Sequence, residues 1–195
     1  TDPREHITLP YLVQQILDKE VPAMNNKLFS NLKDSFVDSY KELTNTRSLT
    51  GLSMLIALSV VVSYVTSFQI TPTLKIGIGF LVTALMGMFY GPVAAGIGNG
   101  LANLIKFFLK PTGPFFLGYT VTAILGGIIY GLFFYKGKCN IWRTISAKTC
   151  INIFLNVCLN TYWGALLYGD AISAIIGPRF IKNISLLPFE IILLY

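Results

Sequence analysis

Six long apolar runs occupy the chain from residue 49 onward, separated by glycine and proline steps or by short polar turns. A helix needs about 20 mostly apolar residues to cross a bilayer. By this measure the predicted spans lie near Leu49–Phe68, Leu74–Tyr90, Pro92–Leu109, Phe115–Tyr135, Ala147–Tyr168 and Arg179–Tyr195. The runs are apolar on every side, whereas strands of a membrane barrel alternate. The sequence therefore predicts an all-α membrane protein with six transmembrane helices.

The residues ahead of Leu49 differ in composition from the rest. Charged residues make up only 12% of the chain, yet seven of its nine acids lie in this leading part. Apolar residues recur there every three or four positions, which predicts an amphipathic helix on the inner membrane surface. They are Leu28, Leu32, Phe36, Tyr40 and Leu43. We expect a leader or expression-derived segment over 1–23, the amphipathic cytoplasmic helix over 24–48, and the membrane domain over 49–195.

The lysines and arginines predict the orientation, because cytoplasmic loops carry an excess of both. Two groups define that side: Lys27, Lys33, Lys41 and Arg47 before the first span, and Lys136, Lys138, Arg143 and Lys148 after the fourth. Both termini are then cytoplasmic. Five bases remain near the outer face: Lys75, Lys106, Lys110, Arg179 and Lys182. Either they snorkel to the interface, or they receive the carboxylates of an anionic ligand. Their convergence from three loops favours the ligand.

The sequence offers little for catalysis. No G-x-x-x-x-G-K-[ST] motif is present, so a P-loop for ATP is not expected. His6 is the single histidine, which argues against metal sites and histidine acid–base chemistry. Asp170 and Glu190 are the only acids after Leu49, and we expect a structural or partner-facing role for Glu190. The later bases form no continuous face for nucleic acid. We predict a protein that is not an enzyme and holds no cofactor or metal.

Small residues mark one face of the first span. Ser53, Ala57 and Val61 recur every four residues there. A face of small side chains favours close helix contact, either within the chain or with a partner subunit. Spacing alone does not choose between the two. We treat these three residues as the candidate partner interface.

Amides and aromatics mark the fifth span. Asn152, Asn156 and Asn160 recur every four residues, so they share one helix face. Amides that face lipid are costly, so these should bond to other helices or to a polar heterocycle. Tyr162 and Trp163 follow at the outer end, where they could form an interfacial belt or stack on a flat ring.

Three stretches are distinctive: Thr71–Phe80 (TPTLKIGIGF), Ala84–Pro92 (ALMGMFYGP) and above all Pro111–Thr120 (PTGPFFLGYT). They resemble the folate family of substrate-binding (S) components of energy-coupling factor (ECF) transporters. The resemblance covers nearly everything from about Lys27 onward. One position departs from it, since Asn103 stands where the family usually has an aspartate.

The resemblance implies a multi-pass protein of the bacterial plasma membrane that captures folate with high affinity on the extracellular side. Delivery inward would require a membrane coupling subunit and two ATPases. The residues expected to contact the glutamate carboxylates and the rings are Lys75, Phe115, Tyr119, Asn152, Asn156, Asn160, Trp163, Arg179 and Lys182. An S component for thiamine or riboflavin remains an alternative. A self-sufficient secondary transporter is less favoured, because no coupling acids or internal repeat are visible.

Overall fold

The computed structural model describes residues 30, 32–66, 68–71, 74–111, 115–137, 140–169 and 172–195, with only the backbone for 68–71, 74–76, 168 and 172–175. The predicted segment 1–23 and the start of the predicted amphipathic helix lie outside these residues. The helices are α1 (32–44), α2 (Thr46–Thr66), α3 (Phe80–Leu109), α4 (Leu117–Phe134), α5 (Ile141–Cys150), a π-helical segment (Ile151–Leu159), α6 (Asn160–Tyr168) and α7 (Ile172–Leu194). Among the described residues, four helical stretches are long and apolar enough to cross a membrane: Thr46–Thr66, Phe80–Leu109, Leu117–Phe134 and Ile141–Leu167. The prediction of a helical membrane protein is confirmed.

The predicted start of the second span near Leu74 is wrong, because the chain between α2 and α3 is not helical. Strands β1 (Phe68–Thr71) and β2 (Leu74–Ile76) form an antiparallel hairpin there, in which Phe68 pairs with Ile76. Thr71 precedes a proline, which disfavours helical backbone, and the strands are rich in residues that suit extended chain. The helix of the predicted second span, α3, therefore begins at Phe80.

Helix α3 is two helices that fold back on each other at Gly91. Gly91 has φ +80°, a left-handed conformation that glycine adopts without strain. The Thr83 hydroxyl lies 3.0 Å from Asn99 Oδ1, although residues sixteen apart in a straight helix are separated by about 24 Å. We call the antiparallel halves α3a (80–90) and α3b (92–109). The predicted break at Gly91-Pro92 is confirmed.

A serine of α1 completes this turn. The Ser39 hydroxyl donates to the carbonyl of Tyr90 at 2.6 Å and accepts from the amides of Val93 at 3.0 Å and Ala94 at 3.1 Å. Ser39 is fully buried. It thus supplies the cap that the first turn of α3b needs, from a different helix.

Helices α3b and α4 pack backbone to backbone through glycines. A Cβ on Gly127 would lie 2.3 Å from the carbonyl oxygen of Ala95, and one on Gly131 would lie 2.4 Å from Cα of Pro92. The two glycines are four residues apart, so both face the same partner helix. This interface therefore admits no side chain at either position.

Two further boundaries differ from the predictions. The fifth helix begins at Ile141, not near Ala147, because the side chain of Asn140 caps it by accepting from the amide of Trp142. Arg143 and Lys148 consequently belong to a helix and not to the preceding loop. The last helix begins at Ile172, not near Arg179, and it carries Pro178 and Pro188 within it.

Candidate functional site

The three predicted amides form one hydrogen-bonded chain, which we call the amide ladder (Asn152, Asn156 and Asn160). The side-chain nitrogen of Asn160 donates to Asn156 Oδ1 at 3.3 Å, and that of Asn156 donates to Asn152 Oδ1 at 2.9 Å. The π-helical segment Ile151–Leu159 carries the first two amides. Such wide turns occur frequently at functional sites.

The ladder ends at an ion pair on its α5 side. Asn152 donates to Glu190 Oε2 at 3.0 Å, and Nζ of Lys148 lies 3.4 Å from the same oxygen. Lys148 is only 2% exposed, and its ammonium lies 3.4 Å from the ring centroid of Phe80 and 3.4 Å from the Tyr130 hydroxyl. This cluster joins α7 to α5, and through Phe80 to the start of α3a.

The other end of the ladder lies beside an aromatic cluster of Phe116, Tyr119 and Trp163. Trp163 follows Asn160 by three residues, so both lie on the same side of α6. Its ring centroid is 5.4 Å from that of Phe116, which is 6.1 Å from that of Tyr119. The indole nitrogen donates to Thr122 Oγ1 at 3.2 Å. These contacts fix the orientation of the indole.

Gly118 makes room for this cluster. A Cβ at that position would lie 2.4 Å from the Phe116 ring and 2.6 Å from the Trp163 ring. The glycine of the distinctive PTGPFFLGYT stretch therefore allows both rings to lie directly against the first turn of α4.

Phe115 lies in a different group of rings. Its centroid is 5.0 Å from that of Phe107 and 6.5 Å from that of Phe108, and the residue is exposed. Phe115 was predicted to contact the ligand, and Phe116 was not. The two are neighbours just ahead of α4, and only the helix start at Leu117 decides which of them turns inward.

The predicted cations lie in different surroundings. Arg179 is 5% exposed within α7, where its carbonyl accepts from the side chain of Asn183 at 2.8 Å. Lys182 is half-buried one turn further on. Lys75 lies in β2, paired with Gln69, and its side chain is outside the described part of the structure.

Lys106 is one of the five predicted outer bases, although it was not among the residues expected to contact the ligand. Its ammonium donates to the buried Ser59 hydroxyl at 2.8 Å and would lie 4.0 Å from a Cβ on Gly79. Asn103, one turn earlier, lies on the same side of α3b, where its Oδ1 accepts from Thr120 at 3.3 Å. Polar groups of α3b therefore face α2 and α4 near the end of the hairpin.

The candidate partner face of α2 points away from the rest of the chain. Ser53, Ala57 and Val61 are all exposed, whereas Leu52 and Ser59 are buried on the opposite side. The outward face also carries exposed Met54 and Val65. These residues are available to lipid or to another protein.

The site has the chemistry of binding. Within the described residues, no group of three or more His, Cys, Asp or Glu could hold a metal ion. The groups gathered between α4, α6 and α7 are amides, hydroxyls, rings and cations, which recognise a polar aromatic ligand by hydrogen bonds, stacking and charge.

Comparisons with known proteins agree with this chemistry. Residues 47–195 match the family described as ECF transporter, substrate-specific component. The folate transporter FolT of Clostridium novyi is 33% identical over 144 residues, covering 74% of this chain and 83% of the relative. FolT of Leuconostoc mesenteroides is 31% identical over 153 residues, covering 75% and 82%. A crystal structure of FolT bound with folic acid superposes with a TM-score of 0.73 at 35% identity, covering 77% of this chain and 92% of that one.

The fold and the site together define a multi-pass helical membrane protein that binds a substrate for transport. The chain belongs to the family of substrate-specific components of ECF transporters, which are transporter subunits and not enzymes.

Proposed function

We propose that this protein is the folate-binding S component of an ECF-type vitamin transporter. It captures folate on the extracellular side and delivers it inward together with a membrane coupling subunit and two ATPases. The observation that carries the proposal is the amide ladder, which ends beside Trp163 and Phe116. The similarity to a folate-bound FolT structure and to two folate transporters supports it.

Folate fits the chemistry of this site. Its pterin is flat and polar, so it can stack on aromatic rings while its edge bonds to amides. Its glutamate tail carries two carboxylates, for which Arg179, Lys182 and Lys75 are the proposed partners. Lys106 is a further candidate for the tail, because within the described part of the chain no carboxylate lies within ion-pair distance of it.

The proposed topology has six transmembrane segments in the bacterial plasma membrane, with α3a and α3b as separate segments. Helix α3a, over 80–90, is shorter than the about 20 residues of a complete crossing, so this segment crosses only part of the bilayer as helix. Contacts of α1 support it: Ser39 bonds to the Gly91 turn, and Asp38 accepts from Lys136 at 2.5 Å after α4. The α1 helix, the Gly91 turn and the α4–α5 loop therefore lie at one end of the molecule. That end also carries Arg143, and its positive residues support the proposal that it is cytoplasmic.

The coupling subunit is the proposed partner of α2. Ser53, Ala57 and Val61 form an exposed stripe of small and medium side chains, which permits close approach of another helix. Substituting Ala57 by Trp is expected to block co-purification with the coupling subunit and leave substrate binding intact. The matched control is Leu125→Trp on the exposed side of α4, which should have no effect on either measurement.

Fluorescence titration in detergent without ATP tests the substrate. The chain has two tryptophans, and Trp142 is 72% exposed at the start of α5. We expect folic acid to quench the Trp142→Phe variant, which keeps Trp163, and to leave the emission of Trp163→Phe almost unchanged. Binding of thiamine or riboflavin in place of folic acid would reject folate but retain the family.

Replacing Arg179 tests the carboxylate partner. Arg179→Ala should weaken folic acid roughly tenfold or more relative to a pterin without carboxylates, since a charge-assisted hydrogen bond contributes about 1.5–3 kcal/mol. Calorimetric titration of both ligands measures the ratio. Equal losses for the two ligands would remove Arg179 from the tail site.

A further inference from the structure

The amide ladder has a direction. Each of its three side chains donates from its nitrogen toward Glu190, and the oxygens of Asn152 and Asn156 each accept from the next asparagine. The amide planes are therefore aligned head to tail from Asn160 to Glu190.

The carboxylate of Glu190 imposes this direction. A carboxylate that pairs with the Lys148 ammonium accepts hydrogen bonds and donates none, so Asn152 must turn its nitrogen toward it. The oxygen of Asn152 then faces Asn156, which must donate in turn, and the same constraint passes to Asn160. The orientation of the last amide is thus decided about two helical turns away from Glu190.

The far end of the ladder is an acceptor without a donor. Asn160 Oδ1 is buried and has no hydrogen-bond partner among the described residues. The neighbouring Thr161 hydroxyl, on a side chain 2% exposed, is likewise without one in that part of the chain. A buried acceptor left unpaired is costly, so we expect this oxygen to accept a hydrogen bond from an N–H group of a bound ligand.

We propose that Glu190 is a positioning residue for substrate specificity: through the ladder it fixes Asn160 Oδ1 as an acceptor for an N–H donor at the edge of the bound ring. The inference rests on the proposed function. A pterin carries such a donor in its 2-amino group. The ring would stack beside Trp163 while its donor edge meets Asn160.

A matched pair of ligands tests the inference: folic acid and its 2-desamino-2-methyl analogue, which lacks the amino donor. The wild-type protein should prefer folic acid by roughly ten- to a hundredfold, because the analogue leaves the buried oxygen unpaired. Asn160→Leu should lower this preference to about twofold. Equal affinity of the wild type for both ligands would overturn the inference while the proposed function stands, and failure to bind folic acid at all would reject the proposed function.

Two variants test the action at a distance. Glu190→Gln can donate as well as accept, so the direction of the ladder is no longer imposed and the preference should fall severalfold. Asn156→Leu interrupts the ladder, leaves the Glu190–Lys148 pair in place and should have the same effect. Ile153→Leu, on the exposed side of the same π-helical segment, is the control and should keep the wild-type preference.

The pattern of losses separates positioning from structural support. If Glu190 only holds α5 to α7, both variants will weaken the two ligands equally and the preference will persist, which would overturn the proposal. Combining Glu190→Gln with Asn160→Leu should change the preference no further than Asn160→Leu alone. Any additional loss of preference would show that Glu190 does not act through the ladder.

Discussion

The α3b–α4 interface and the α5–α7 side of the molecule hold helices together in opposite ways. The first brings backbones into direct contact at Gly127 and Gly131. The second uses polar groups, namely the hydrogen bond from Asn152 to Glu190 and the Lys148–Glu190 pair. Packing of small residues fixes one distance, whereas hydrogen bonds in an apolar surrounding can exchange one partner for another. We infer that the glycine interface is the scaffold and that the polar side responds to the ligand.

The largest effect is expected at the glycine interface. Gly131→Ala places a Cβ 2.4 Å from Cα of Pro92, which cannot move without shifting α3b, and should cost about 3 kcal/mol or more. The control is Gly126→Ala, where the nearest atom is 3.9 Å away and stability should change by under about 0.5 kcal/mol. Thermal unfolding in detergent compares the two. Similar midpoints would show that this interface adapts and is no rigid scaffold.

Breaking the buried ion pair should have a slightly smaller effect. Lys148→Met leaves Glu190 without its cation and should destabilise the fold by about 3 kcal/mol. Adding Glu190→Gln to the same chain should restore most of the loss, because no unpaired charge remains. The same unfolding assay measures both. A double variant no more stable than Lys148→Met would mean that the charge pair is not what holds this side.

A ring contact should affect binding more than stability. Phe116→Leu removes the ring against Trp163 and should weaken folic acid about five- to tenfold, whereas Phe115→Leu should have less than about a twofold effect. Fluorescence titration distinguishes them. If Phe115→Leu proved the more damaging, the bound ring would lie on the Phe107 side of the loop.

The smallest effect concerns the exposed pair Asp38–Lys136. The hydrogen bond from Lys136 lowers the pKa of Asp38, and that bond also raises the pKa of Lys136. The contribution of Asp38 to the stability of the fold is fully present above its ordinary pKa of about 3.9, and it is lost as the pH falls through the lowered pKa. The contribution of Lys136 to stability is fully present below its ordinary pKa of about 10.4, and it is lost as the pH rises through the raised pKa.

Hydrogen exchange of residues 32–44, corrected for intrinsic rates, should therefore be faster near pH 3 than near pH 7. Asp38→Asn should abolish that difference. An unchanged difference in the variant would assign the pH effect to another group.

Features with a local cause could be predicted from the sequence. The helical spans could be predicted from the length and hydropathy of each run. The chain reversal could be predicted from Gly91-Pro92, because a glycine allows a positive φ and a proline favours the first turn of a helix whatever surrounds them. The regular spacing of Asn152, Asn156 and Asn160 likewise placed them on one face. Their partner could not be found this way, since Glu190 follows Asn152 by 38 residues.

The remaining errors arose where tertiary contacts decide between local options. Lys148 was assigned to a cytoplasmic loop. A buried lysine needs a partner of opposite charge, and the spacing of residues along the chain does not reveal Glu190 as that partner. Leu74–Ile76 was predicted as the start of a span because its apolar residues suit a strand and a membrane helix equally. Phe115 and Phe116 are the same residue type, so the sequence does not distinguish them. The position at which α4 begins decides that the Phe116 ring lies in the site and the Phe115 ring outside it.

The bond from Ser39 to the Gly91 turn gives the order of synthesis a physical meaning. The hydroxyl engages Tyr90, Val93 and Ala94, which leave the ribosome more than fifty residues after it. The helix that carries this serine is therefore synthesised before the two halves of α3 that its hydroxyl joins. Helix α1 is thus available to stabilise the Gly91 turn as soon as that turn has been synthesised.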